Sequence, residues 1–222
     1  MKYRSVFDII GPVMIGPSSS HTAGAARIGL LARKLFGTRP KKANVTFYGS
    51  FAKTYKGHGT DIAIVGGILG FDTFDQRITQ SLSIAKDSNM EVSIHVSDDI
   101  PNHPNTARII LDDGRNKRLS VCGISVGGGK MEITEVDNFP VRVTGDMPTL
   151  FVWHEDRYGL VAAVSEVLAA HKINIGYMEM ARKSKGAEAL MVIETDQAVS
   201  GAICKEICEL SYVNRVSSTP AL

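Results

Sequence analysis

From Thr149 onward two hydrophobic rhythms alternate in one order, and few folds satisfy that order. "TLFVWHE" reads as a strand. "GLVAAVSEVLAAHK" spaces Leu160, Val164, Val167 and Leu168 for one helical face. "INIGYMEMARK" and "AEALMVIET" return to strand texture on either side of a turn at Ser184, Lys185 and Gly186. "SGAICKEICELSY" reads as a second helix and "VNRVSSTP" as a last strand. The succession β-α-β-β-α-β predicts a ferredoxin-like split unit. Met147-Pro148 marks its start, because proline ends regular structure and biases the residue before it toward extended geometry. The expected chain is α+β, with one domain over 1–146 and a second over 148–222.

The first domain has another texture, rich in Gly, Ser and Thr, with short elements and many turn signals. "AGAARIGLLARKLFG" predicts a helix with Ala26, Leu30, Leu31 and Leu35 on one side and Gly37 as its stop. "ANVTFYGS" and "EVSIHVS" read as strands, and "TDIAIVGGILG" and "ITQSLSIAKDSN" as helices. "TARIILDD" and "RLSVCGISVGGGKMEITEVD" predict strands around tight turns, with Asp113-Gly114 as a hairpin signal. The picture is a mixed α/β domain.

Composition removes several function classes. The net charge is +2 and no Lys/Arg block interleaves with aromatics, so nucleic-acid binding is not expected. No apolar run reaches membrane-span length, and Asp8 interrupts the short apolar stretch near the N-terminus, which argues against a leader. The expected location is the cytoplasm, with no membrane partner. Three cysteines, Cys122, Cys204 and Cys208, do not suggest a disulfide framework. Cys204 and Cys208 would share a helix face, but no nearby ligand completes a metal site, and they read as two small buried side chains. A four-ligand cluster cannot be built from this chain alone.

The chemistry-bearing stretch is "IGPSSSHTAGAARIG". One serine or threonine suffices to cap a helix, and here Ser18, Ser19, Ser20, His21 and Thr22 stand in succession. A helix start also offers free N–H groups and partial positive charge, which suits a carboxylate or phosphate. Hydroxyls would orient such a ligand, and His21 could donate to it or move a proton. The same residues are compatible with a serine-rich loop ending in an ordinary cap. "KGHGTD" sets His58 between glycines on a turn near the surface, with Asp61 as a natural cap, and "PNHPNT" sets His103 and Asn105 around a proline. Three histidines in such turns make a shared pocket credible, though their separations match no metal-ligand spacing. "VGGGK" reads as an anion nest or as a strand connection. In the tail, "HEDRYG" links a strand to a helix, with Asp156 as cap and Gly159 open to close approach, and Asn174 starts the next strand. Such a loop either binds a small effector beside a second copy of the sheet or is plain turn chemistry.

"SVFDIIGPVMIGPSSSHTAGAARIG" resembles the opening of bacterial iron–sulfur L-serine dehydratases (L-serine ammonia-lyases). "YGSFAKTYKGHGTDIAIVGGILG", the "HPNT" turn and "SVGGGKMEI" continue the resemblance, and the tail is similar to an ACT regulatory domain. "GPSSSHT" together with "GHGTD" is the specific part. Length and ending resemble the separate beta subunit of two-chain forms. The resemblance implies a first domain like the allosteric substrate-binding domain of some phosphoglycerate dehydrogenases, followed by the ferredoxin-like ACT domain. It implies a [4Fe–4S] cluster whose ligands lie on an alpha subunit, L-serine as substrate, pyruvate and ammonia as products, and self-association through the ACT domain. Ser18, Ser19, Ser20 and Thr22 would bind the substrate, with Asp61, His103 and Asn105 beside them, and His21 and His58 would serve catalysis. Asp156, Gly159 and Asn174 would bind an effector, with Tyr158 standing where many ACT loops have proline. The alternative reading is a non-catalytic subunit that senses an amino acid.

Overall fold

The computed structural model describes residues 13–222. Residues 1–12, which carry the leader reading and the start of the dehydratase-like stretch, lie outside them. Two compact units divide the chain, Met1–Asp137 and Asn138–Leu222. The division falls ahead of Met147-Pro148, and strand β6 (Phe139–Val143) lies between the two positions.

In the first unit, β1 (Lys42–Tyr48), β2 (Glu91–Val96), β3 (Asn105–Asp112), β4 (Arg118–Gly127) and β5 (Lys130–Val136) run in the order β2-β1-β3-β4-β5. β2 is parallel to β1, and the other pairs are antiparallel. The triple glycine of "VGGGK" is the β4–β5 turn. Helix α1 (Ala25–Phe36) lies on this sheet, where Gly123 of β4 makes room for Ile28. Its Ala26–Leu30 side meets helix α3 (Thr60–Leu69). Nine of its twelve residues are therefore buried, whereas the sequence pattern suggested one apolar side. Helix α2 (Gly49–His58), which the pattern did not suggest, fills the interval between β1 and α3. The helix predicted over 78–89 is divided: a 3₁₀ turn, Gln76–Gln80, takes its start, and α4 (Ser81–Asp87) follows.

The second unit carries β7 (Thr149–Glu155), α5 (Leu160–Ala170), β8 (Ile175–Arg182), β9 (Glu188–Thr195), α6 (Gly201–Cys208) and β10 (Val213–Thr219). The strand order is β10-β7-β9-β8, antiparallel throughout, as a ferredoxin-like unit requires. Leu160, Val164 and Leu168 join Leu150, Val152, Met191, Ile193, Ile203 and Ile207 in one buried cluster. The helix face read from the spacing is the face that is covered.

Two expectations about caps and cysteines change. Asp61 and Asp156 cap neither helix, because left-handed Gly59 and Gly159 occupy the cap positions of α3 and α5. Asp61 accepts from the Ile62 N–H instead, at 2.9 Å. Cys208 is exposed and Cys204 only half-buried, since Ile203 and Ile207 hold the inward positions of α6. Among the described residues no helix is long and apolar enough to cross a membrane.

Candidate functional site

Four segments meet at one end of the first unit's sheet, where β1 ends, β3 begins and β4 nears its end. The first is the serine-rich stretch. Ser18 has extended backbone, and its Oγ accepts from the His21 N–H at 3.1 Å. Its carbonyl accepts from Thr22 N–H at 2.9 Å and from Ala23 N–H at 3.3 Å. The chain therefore enters α1 through a π-turn, Ser19–Gly24, one residue wider than an α-helical turn. Thr22, Ala23 and Gly24 are buried and anchor the turn, and a Cβ on Gly24 would stand 2.1 Å from Ser125 Oγ of β4.

The half-buried side of the turn carries a run of linked polar groups. Ser18 Oγ lies 3.3 Å from Ser20 Oγ, and Ser20 Oγ lies 3.0 Å from His21 Nδ1. His21 Nε2 lies 3.0 Å from Ser50 Oγ, so both ring nitrogens rest on hydroxyls. The His58 ring sits 4.8 Å from that of His21 between centroids, and Phe51 packs edge-on at 5.2 Å. Thr22 Oγ1 donates to the His58 carbonyl at 3.1 Å and ties the π-turn to the end of α2. Burial, and then the neighbouring His58, push the His21 pKa below its ordinary 6.5. Both influences favour the neutral imidazole, the form able to accept a proton. His58 is not on a surface turn: it closes α2 half-buried, and its Nδ1 has no hydrogen-bond partner among the described residues. Thr60 Oγ1 and Ser125 Oγ are buried and likewise without a partner among the described residues.

Ser50 is a member that sequence reasoning missed. The signal was the "YGS" that ends β1: Gly49 has φ +56, and a Cβ there would approach Pro104 O to 2.7 Å. Only glycine lets the chain turn from β1 into α2 so close to the "HPNT" turn. The Ser50 N–H then donates to Pro104 O at 2.7 Å, and Gly49 bridges to Asn105. His103 and Asn105 are joined to the site through this backbone contact. His103 Nδ1 accepts from Asn105 N–H at 3.2 Å, and Asn105 Nδ2 donates to Ser125 O at 3.4 Å. Ser19 is half-buried, and Asp61 follows His58 in the first turn of α3.

The tail residues do not gather in the same way. Asp156 Oδ2 accepts from Arg182 Nη1 and from Gly186 N–H, both at 3.0 Å, so the "HEDRYG" loop is pinned to the β8–β9 hairpin. The Gly186 N–H first, and then the Arg182 guanidinium, hold its carboxyl below the usual carboxylate range. Tyr158 is fully exposed. Asn174 lies at the opposite end of that sheet, its Nδ2 donating to Asp196 at 2.7 Å. A strand of this length separates it from Asp156 and Gly159 within one chain.

The cysteines do not fit an iron–sulfur cluster. Such clusters take about four thiolates, and this chain has three, Cys122 in one unit and Cys204 and Cys208 in the other. Among the described residues no three His, Cys, Asp or Glu side chains converge as metal ligands.

Residues 5–89 match the serine dehydratase beta chain family and residues 148–211 the ACT domain. The chain is 55% identical to a probable L-serine dehydratase, beta chain, of Bacillus subtilis (strain 168), over 98% of each. It belongs to the serine dehydratase beta-chain family. Another member, the L-serine dehydratase beta chain of Peptoniphilus asaccharolyticus, is 32% identical over 90% of each chain. A D-3-phosphoglycerate dehydrogenase of Synechocystis sp. is 24% identical over 85% of this chain and 34% of its own length. In this beta chain the π-turn, Ser50 and His58 lie within the family-matched stretch, and His103, Asn105 and Ser125 beyond it.

Proposed function

We propose that this chain is the beta subunit of an L-serine dehydratase and that it holds L-serine at the Ser18–Thr22 turn. The observation that carries the reading is the His21 imidazole resting with both ring nitrogens on serine hydroxyls at the entrance to a buried helix. Serine's carboxylate would find there the hydroxyls of Ser18, Ser19, Ser20 and Thr22 and the positive end of the helix. His21, whose surroundings favour the neutral ring, would take the α-proton through the Ser20 hydroxyl as the substrate's own hydroxyl leaves. His58, Asp61, His103 and Asn105 would border the bound amino acid. The cluster expected of the family would be held by an alpha subunit, since the residues here do not fit one. The ACT unit would pair with a second copy and bind an effector near Asp156 and Gly159, with Asn174 supplied by the other copy.

A second reading has one observation behind it. A domain similar to most of this chain accompanies a protein named for a different reaction, D-3-phosphoglycerate dehydrogenase. Under that reading the turn senses an amino acid and controls the partner. Turnover at saturating L-serine, with the alpha subunit present, separates the two. His21→Ala or Ser19→Ala should lower kcat by ~10²-fold if the turn serves the reaction. Unchanged kcat with altered activation or cooperativity would favour the sensor.

A further inference from the structure

We infer that Ser50 is a positioning residue for His21: its hydroxyl accepts the Nε2–H proton and so leaves Nδ1 as the basic nitrogen, facing Ser18 and Ser20. The inference rests on the proposed reading of the turn and adds a residue from a different element, 29 positions away in sequence.

The geometry supports it on three counts. Ser50 is itself fixed: its N–H donates to Pro104 O at 2.7 Å and its carbonyl accepts from Thr54 Oγ1 at 2.8 Å. A hydroxyl on so constrained a backbone is a stationary partner, as an orienting group must be. It also stands in the first turn of α2, where the partial positive charge of the helix end favours an oxygen that presents lone pairs over one that gives up its proton. Finally, the other side of the ring is already enclosed by Phe51 and His58, so the Ser50 contact selects one of the two orientations related by a ring flip. Flipping would point Nε2 elsewhere and leave Ser50 against carbon. The hydroxyl chain then has one direction. Ser18 donates to Ser20, Ser20 donates to Nδ1, and Nε2–H donates to Ser50.

Ring-nitrogen NMR on the full chain, labelled with ¹⁵N-histidine and with His21→Asn to assign the signal, tests this without any turnover. The wild type and Ser50→Thr should show a His21 Nε2–H proton slow enough in exchange to be seen. Ser50→Ala should lose it to solvent exchange. In the enzyme assembled with its alpha subunit, Ser50→Ala should lower kcat roughly tenfold with KM little changed, and Ser50→Thr should retain most of it. An Nδ1–H tautomer in the wild type would overturn the inference. So would a His21 signal indifferent to Ser50→Ala, or equal loss of turnover in both variants. Intact NMR behaviour with a kcat indifferent to His21→Ala would instead sink the catalytic reading of the turn and leave the Ser50–His21 pairing standing.

Discussion

Gly67 stands where α3 crosses α1, and replacing it tests how the site is held. A Cβ at Gly67 would lie 2.0 Å from Ala26 O and 2.6 Å from Leu30 N. Across the same contact a Cβ on Gly29 would lie 2.2 Å from Ile64 O. Each obstacle is backbone of a buried helix, so no rotamer change relieves the clash. Gly67→Ala must part the helices by on the order of 1 Å to restore van der Waals distance. Overpacking of this kind costs about 1–3 kcal/mol, with the upper end appropriate to backbone against backbone. Alanine recovers about 1 kcal/mol through helix propensity, which leaves a net loss of about 2 kcal/mol.

Gly66 supplies the control. It shares the helix and the propensity gain, but a Cβ there first meets Ile78 Cγ1, at 2.9 Å, on a side chain that can move. Gly66→Ala should stay within about 1 kcal/mol of the parent. Urea unfolding of the full chain followed by far-ultraviolet circular dichroism measures both, and the thermal midpoint of Gly67→Ala should fall by about 4–8 °C. The consequence reaches the site, because α1 continues from the π-turn that bears His21 and α3 starts just after His58. Parting the helices changes the 4.8 Å ring separation, so turnover should fall under conditions where the variant remains folded. If Gly67→Ala unfolds at the same urea concentration as Gly66→Ala, the close crossing is not what holds the two helices in place.

Two other outcomes follow from burial and charge. The His21 pKa is lowered on folding, so above its ordinary 6.5 the imidazole is neutral in both states and contributes no pH dependence. As pH falls below 6.5 toward the folded value, the unfolded chain takes up the proton first and stability is lost. His21→Asn should therefore lose less stability than the parent between about pH 7.5 and pH 5 in urea unfolding, and identical slopes would contradict the assignment. Burial pushes the Cys122 thiol up, while Cys208 is exposed. Iodoacetamide followed by peptide mass spectrometry should modify Cys208 well before Cys122, and the reverse order would contradict the placement of both.

The tail was legible because each element there carries its own period. Leu160, Val164 and Leu168 mark the covered face of α5 without reference to anything distant. The same local logic found α1, β1 and α3. It failed at α2, where "GSFAKTYKGH" buries only Phe51 among its residues and so shows no apolar stripe. It failed for Asp61 and Asp156 because the choice between an aspartate cap and a left-handed glycine cap depends on how the preceding chain arrives. The serine-rich turn was conspicuous as residue types, yet its partners were not. Ser50 reaches His21 only because Gly49 turns the chain beside Pro104, a contact between segments more than fifty residues apart.

The hydroxyls of the π-turn divide by what they do in the folded chain, and that division decides which substitution reports on function. Ser18 Oγ caps the turn, so Ser18→Ala should cost about 1 kcal/mol of stability before any ligand is considered. Thr22 Oγ1 ties the turn to α2, and Ser20 Oγ is bonded to His21, so alanine at either position disturbs the frame as well as the surface offered to a substrate. Ser19 has no side-chain hydrogen bond among the described residues, although it stands in the middle of the run. A hydroxyl that bonds to no other described residue at that position is the one whose removal best isolates ligand binding. Ser19→Ala should leave the unfolding free energy from urea within about 0.5 kcal/mol of the parent while turnover with the alpha subunit collapses. Parallel loss of stability and turnover would mean that the serine run exists to build the turn. Full stability with full turnover would mean that L-serine is held elsewhere.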